Sequence, residues 1–231
     1  DASALSLARR LAHEAVFLAD SAEDDLLSAH VCVTMALQSI SLARASGQRG
    51  PAREGLRFLE RAEHIAKHEP SPKLHALIHM RKATAYALLG DGAAARASIT
   101  EARRELDRGP HPTDRPWFEF VTETEITGHE ARVAADLQDI STAVKLYEQV
   151  AEDPNLAPRN RTFYEALYAA IRLQHGDATG AVEIGRRALA ALEGPVTSAR
   201  ALNALRPVRQ HVGDEEFEQR FDAVATTLTV K

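Results

Sequence analysis

The sequence predicts an all-α fold of about eleven helices, arranged as antiparallel pairs. Three observations carry that expectation. Apolar residues recur at helical spacing along nearly the whole chain, and no segment reads convincingly as a strand. Turn residues punctuate the pattern at Gly50, Gly90, Gln138 and Gly176. Small residues then stand at fixed offsets from these four turns. The composition points the same way: 45% of residues are hydrophobic but only 5% aromatic. Helices packed closely through alanine produce that balance.

The clearest pair runs from Lys73 to Asp107 (KLHALIHMRKATAYALLGDGAAARASITEARRELD). Leu74, Leu77, Ile78, Ala85 and Leu88 repeat at helical spacing before the turn. Gly90-Asp91-Gly92 breaks the pattern, and Gly tolerates the left-handed geometry that ends a helix. Ala94, Ala95, Ile99, Ala102 and Leu106 resume it. Ala83, Ala95 and Ala102 stand where the helices touch most closely, with Tyr86 and Ile99 filling the space beside them.

Offsets counted from the other turns repeat the code. From Gly50 they give Ala43, Gly55, Leu59 and Ala62. From Gln138 they give Ala131, Ala143, Tyr147 and Val150. From Gly176 they give Ala169, Ala181, Gly185 and Ala188. Asp follows the turn residue three times, at Asp91, Asp139 and Asp177. Such a unit resembles the tetratricopeptide repeat, whose period is about 34 residues. Here the turns are 40, 48 and 38 residues apart. The excess falls in loops, most clearly the Pro-rich Arg108–Pro116 segment. The resemblance implies a single tetratricopeptide-like domain over residues 1–231, a right-handed solenoid with units at about 22–68, 72–108, 115–153 and 158–193.

In chain order, Ala2–Asp20 reads as an amphipathic helix burying Leu5, Ala8, Leu11, Ala12, Ala15 and Leu18. After a polar break, Leu26–Ser46 is a more apolar helix ended by Gly47-Gln48-Arg49-Gly50. Pro51 suits the first turn of the next helix, which carries Leu56, Leu59, Ala62 and Ile65. Glu69-Pro70-Ser71-Pro72 stops it, and Ser71 is placed to cap the helix that follows. The last elements, Val196–Val212 and Glu215–Leu228, lack the small-residue code, as a capping pair at 196–228 does. Pro207 is expected to kink the first of them.

Charge narrows the function classes. With 28 basic and 33 acidic residues the net charge is −5, which disfavours phosphate-backbone binding by this chain. Cys32 is the only cysteine, so an internal disulfide is impossible and a reducing, cytoplasmic setting is expected. No apolar run approaches the ~18 residues that would span a membrane. The chain opens at Asp1, and its first helix reads as the second half of a repeat, so upstream residues are expected.

Candidate chemistry is sparse. His64/His68 and His75/His79 are i,i+4 pairs with metal-ligand spacing, yet ten histidines on helical surfaces form such pairs without a metal. Phosphate-binding, dinucleotide and hydrolase motifs are missing, and no nucleophile–base set appears. No enzyme, no metal and no cofactor is therefore expected. Cys32 sits in an apolar helix and reads as a buried, inert thiol. Asp24/Asp25 and Glu215/Glu216 stand at helix starts, where the helix dipole accounts for them. Trp117-Phe118-Glu119-Phe120 holds the only Trp and reads either as a hydrophobic anchor or as the aromatic wall of a groove.

Several segments together resemble actinobacterial regulators that join a lambda-repressor-like helix-turn-helix domain to tetratricopeptide-like repeats. These are HEAVFLADSAEDDLLSAHVCVTMALQSISLA, LIHMRKATAYALLGD, the Trp117-Phe118 segment leading to Glu125-Ile126-Thr127-Gly128-His129, and Gly176–Leu189. That likeness implies a DNA-binding domain preceding Asp1, a homodimer, and a ligand- or peptide-sensing role for the repeats. It also places the first helix of each pair on the concave side. The groove so nominated comprises Met80, Arg81, Thr84, Trp117, Glu125, His129, Arg132 and Phe163, an apolar floor with charged walls suited to a small amphiphile or short peptide. A stand-alone scaffold for protein partners is the alternative.

On charge alone, this chain should bind duplex DNA no better than non-specifically, with a Kd above about 1 µM at physiological salt. A sequence-selective, sub-micromolar gel shift would contradict it.

Overall fold

In the computed structural model, which describes residues 2–230, helices account for 81% of the chain and no strand occurs among the described residues. The chain divides into two compact units, one ending at Leu137 and one beginning at Gln138.

The first unit holds α1 (Ala2–Ser21), α2 (Asp25–Ser46), α3 (Arg49–Ile65), α4 (Pro72–Leu89), α5 (Gly92–Leu106) and α6 (Glu123–Asp136). Consecutive helices pack as neighbours, and α4 also packs against both α2 and α6. The result is an inner row of α2, α4 and α6 with α3 and α5 behind it. The second unit holds α7 (Ile140–Glu152), α8 (Pro158–Gln174), α9 (Ala178–Glu193), α10 (Ala199–Ala204), α11 (Arg206–His211) and α12 (Glu215–Val230). There α8 packs on α7, α9, α10 and α11, and α12 closes on α9 and α10. The break between α10 and α11 falls beside Pro207, where the ring cannot donate and crowds the preceding turn. With that broken helix taken as one, the described residues hold eleven helices.

Every position of the small-residue code is buried, from Ala43, Gly55 and Ala62 through Ala83, Ala95 and Ala102 to Ala169, Ala181 and Ala188. Tyr147 and Ile99 fill the larger positions. The three Asp residues after the turns are N-caps. Asp91 accepts from the Ala94 amide at 3.0 Å, Asp139 from Thr142 at 3.2 Å and Asp177 from Gly180 at 2.8 Å. Each satisfies an amide that the first helical turn leaves without a partner. The residue before each Asp is left-handed: Gly90 at φ 83°, Gln138 at φ 66° and Gly176 at φ 92°.

The first pair departs from the expected register. Its left-handed residue is Gly47, φ 67°, and Gly50 lies inside α3. That displacement is close to one helical turn, so Ala43, Gly55, Leu59 and Ala62 keep the same inward face. Gly55 is where the pair comes closest: an added Cβ would stand 3.2 Å from the Ile40 side chain and 3.4 Å from the Ala36 carbonyl oxygen.

Two further expectations need correction. In α1 the buried residues are Ala12, Val16 and Ala19, whereas Leu11 and Leu18 are exposed and Ala8 and Ala15 only half-buried; the side chain of Leu5 lies outside the described ones. Two stripes of α1 have helical spacing, and the smaller one packs on α2. In addition, α2 is long and apolar enough by length and composition to cross a membrane, with an 18-residue window of mean hydropathy 1.6. Polar Ser, Thr and Gln residues interrupt the run without lowering that mean much. The window is 61% buried within the protein, and Ala29, Cys32, Val33, Ala36 and Ile40 join the core of the first unit.

Because Ala95 and Ala181 have no exposed surface, Ala95→Leu or Ala181→Leu should destabilise the protein by roughly 1–3 kcal/mol through overpacking. Ala94→Leu, at a half-buried position, should cost much less. Urea denaturation midpoints for the three variants check this.

Candidate functional site

Two helix starts set the register of the inner row. Ser71 caps α4 by accepting from the Leu74 amide at 3.3 Å, and Pro72 occupies the first turn. The Ser71 hydroxyl donates to Asp114 Oδ1 at 2.5 Å, while Asp114 Oδ2 accepts from the His111 amide at 2.9 Å. In this way the Pro-rich loop is tied to the start of α4. Thr122 caps α6 through the Glu125 amide. From these origins Arg81 and Thr84 share one face of α4, and Glu125, His129 and Arg132 share one face of α6.

Those faces meet. Arg81 Nη1 donates to His129 Nε2 at 3.2 Å. Guanidinium nitrogens only donate, so Nε2 is the accepting nitrogen and the proton of neutral His129 sits on Nδ1. Nδ1 lies 3.3 Å from Thr84 Oγ1, and the Thr84 hydroxyl in turn donates to the Met80 carbonyl oxygen at 3.2 Å. The chain of donors runs from Arg81 through His129 and Thr84 to the α4 backbone. Glu125 Oε1 stands 3.8 Å from His129 Nε2, too far for a hydrogen bond but close enough to set a carboxylate beside the imidazole. Thr84, Glu125 and His129 are all buried.

At one end of this cluster His30 of α2 lies edge-on to Phe118, with ring centroids 5.2 Å apart, and 6.2 Å from the Trp117 ring. Burial, reinforced by the Arg81 charge, holds the His30 imidazole below its ordinary range. Its Nδ1 is buried and has no hydrogen-bond partner among the described residues; nor has Gln38 Oε1, two turns further along α2. Arg44 of α2 forms an ion pair with Asp136 of α6 across the row.

The nominated residues thus separate into groups. Arg81, Thr84, Glu125 and His129 come together. Arg132 is half-buried one turn beyond His129. Trp117 stands at the rim, 43% exposed, with the Arg115 guanidinium 5.7 Å over its ring. Its neighbour Phe118 is fully buried, so the anchor and the exposed aromatic are adjacent residues of one 3-10 turn (Pro116–Phe118). Met80 is fully buried: the spacing that puts Arg81 and Thr84 inward along the row turns the Met80 side chain into the core, so it offers no groove surface. Phe163 belongs to the second unit, buried with the Arg200 guanidinium 3.8 Å over its ring.

His30 and Gln38 are absent from the sequence-based nomination. The signal that marks them is a polar line, His30, Thr34 and Gln38, at i, i+4 and i+8 across the most apolar helix. Cys32 is buried, and burial pushes its thiol up. His75 Nε2 donates to the Glu69 carbonyl oxygen at 2.8 Å, and no group of three or more potential metal ligands occurs among the described residues.

No family model matches this chain, and no curated protein is significantly similar to it.

The lowered His30 and His79 imidazoles make stability depend on pH. Their folded pKa values lie below the unfolded value of about 6.5, so the unfolded chain takes up protons first as pH falls. Their contribution is complete above about pH 7 and is lost on acidification through 6.5. Thermal unfolding between pH 7.5 and 5.5 should show a falling Tm, and His30→Gln should flatten that fall.

Proposed function

We propose that this chain is the regulatory domain of a bacterial transcriptional regulator, a tetratricopeptide-like superhelix that senses a small molecule or short peptide and joins protein partners. In this reading it acts in the cytoplasm, performs no catalysis, and reaches DNA only through a domain outside these residues. The repeated Ala contacts and Asp caps support the repeat assignment. The observation that carries the sensing role is the bonded network of Arg81, His129 and Thr84, with Glu125 beside it and the unpartnered His30 Nδ1 and Gln38 Oε1 on the adjacent helix.

A buried polar network costs stability unless it is fully bonded. A fold that needed only rigidity would place apolar side chains there. Here the network holds a guanidinium and an imidazole in one orientation, next to an exposed Trp and two buried polar atoms that still lack partners. A ligand with a carboxylate or phosphate for Arg132, an apolar portion for Trp117, and groups that complete His30 and Gln38 would fit. Occupation would brace α2, α4 and α6 against one another, and a stack of repeats transmits such a change because each contacts only its neighbours. The plain scaffold reading is favoured by one feature, the exposed apolar face of α1.

Native mass spectrometry of protein purified gently from its own host should show a retained small molecule or peptide. Arg132→Ala should lower affinity for that molecule about tenfold or more, the loss of a charge-assisted hydrogen bond, while leaving helix content unchanged. Unaltered affinity would favour the scaffold. Met80→Ala is a poor probe of the same idea, since emptying a buried Met site costs about 2–5 kcal/mol of stability by itself.

A further inference from the structure

Helix α3 carries arginine at every fourth position: Arg49, Arg53, Arg57 and Arg61. Four residues advance about 6 Å along a helix and turn only about 40° past a full circle, so these side chains form one row about 18 Å long. All four are exposed, and His64 and Lys67 continue the row. The opposite face of α3, with Ala52, Gly55, Leu59 and Ala62, is buried.

The acids of α3 do not neutralise the row. Glu54 accepts from Arg9 and from the Ser39 hydroxyl, each at 2.7 Å, and Glu63 from Lys82 at 2.7 Å. Glu60 is the one acid left on the exposed face. Of the four arginines only Arg61 has an ion-pair partner among the described residues, Asp20 at 3.5 Å, and both are half-exposed. On α5, the other helix behind the inner row, Arg103, Arg104 and Arg108 are each held by a Glu. The first turn of α3 also has no acid, although the helix dipole favours one there, and Arg49 adds positive charge where the dipole is already positive. Helix stability therefore gives no reason for the row. In a chain of net charge −5 it is a local positive field that faces solvent.

We propose that this row is the surface by which the chain joins a protein partner, and that the partner meets it with an acidic α-helix bearing Glu or Asp at four-residue intervals. The inference rests on the reading above only in that the chain has a protein partner; it does not involve the inner row. Charge complementarity sets the sign of the partner, and spacing sets its form. Carboxylates four residues apart on a helix repeat the same interval of about 6 Å, so each can accept two hydrogen bonds from one guanidinium. The width of the row decides against broader anions. It is one helix across, with Asp20 and Glu54 on one side and Glu63 on the other. A DNA duplex or an anionic membrane would cover these acids together with the arginines, like charge against like, and a single helix would not. Exposed ion pairs each change affinity only about two- to fivefold, so the contact is weak and sensitive to salt.

Nuclear magnetic resonance titration of the full chain tests the proposal. The probe is a synthetic helical peptide with four Glu at four-residue intervals, and its control is the same peptide with Gln at those positions. At about 20 mM salt the Glu peptide should shift amide resonances of α3 with a Kd of about 10–500 µM, and about 0.3 M salt should weaken it roughly tenfold. The double variant Arg53→Glu/Arg57→Glu should bind at least about tenfold more weakly with an unchanged circular dichroism spectrum, since both residues are exposed. Arg96→Glu, at an exposed position of α5, should bind as wild type does. The proposal is overturned if the Glu peptide leaves α3 unshifted, if the Gln peptide binds as well, or if the double variant keeps wild-type affinity. It is equally overturned if a DNA duplex or phosphatidylglycerol vesicles occupy α3 more tightly than the peptide at the same salt. The sensing role is read separately, from the molecule retained in native mass spectrometry and from Arg132→Ala: its failure leaves the α3 surface standing, and loss of peptide binding at α3 leaves the sensing role standing.

Discussion

Helix pairs in this protein approach until side chains larger than a methyl group no longer fit at the contact. Ala83, Ala95 and Ala102 show no exposed surface, nor do Ala169, Ala181 and Ala188. At two places even a methyl is crowded. A Cβ on Gly55 would press on Ile40 and the Ala36 carbonyl, and one on Gly185 would stand 2.7 Å from the Phe217 ring. Close approach multiplies dispersion contacts between backbones, which is how a chain with few aromatics builds a continuous core. It also makes each pair a fixed geometric unit, so the direction of every other side chain follows from its place relative to the turn.

The polar cluster is one consequence. Once α2, α4 and α6 stand in a row, Arg81 and His129 face each other across α4 and α6, the imidazole buried and the guanidinium half-buried. Their orientation is over-determined: Arg81 only donates, the Thr84 hydroxyl is committed to the Met80 carbonyl, and the imidazole between them is left one tautomer. Rigidity of this kind costs conformational freedom during folding, and the return is a guanidinium and an imidazole held in one orientation. Charges at the edges hold the same row. Arg103 of α5 reaches Glu123 at 2.7 Å, Glu130 at 2.9 Å and Thr127 at 3.2 Å along α6, and Lys82 of α4 reaches Glu63 of α3 at 2.7 Å.

The turns show how local chemistry and packing divide the work. Asp91, Asp139 and Asp177 each cap a helix, and each follows a left-handed residue. Gln138 occupies that conformation without being glycine, at an expense of about 1 kcal/mol or more. Gln48, at the corresponding place in the first pair, makes no side-chain cap bond. That pair is instead held by its long apolar α2 and by the tight Gly55 contact.

Helix existence, the pairing at the turns after α2, α4 and α8, and the Asp caps were all legible in the sequence, because each depends on residues less than about twenty positions apart. That Arg81 and Thr84 share one face, and Glu125 and His129 another, could also be read from helical spacing, whatever the neighbours are. Tertiary structure decided the rest. Periodicity showed two usable stripes on α1 and could not say which one α2 would take; the small Ala12–Val16–Ala19 stripe took it because helices can come closer there. It could not separate Met80 from Arg81, one residue apart, into core and network, nor reveal that His30 Nδ1 and Gln38 Oε1 are buried on the neighbouring helix. Those assignments turn on how three helices distant in sequence are rotated about their axes, and only the packed core sets that rotation.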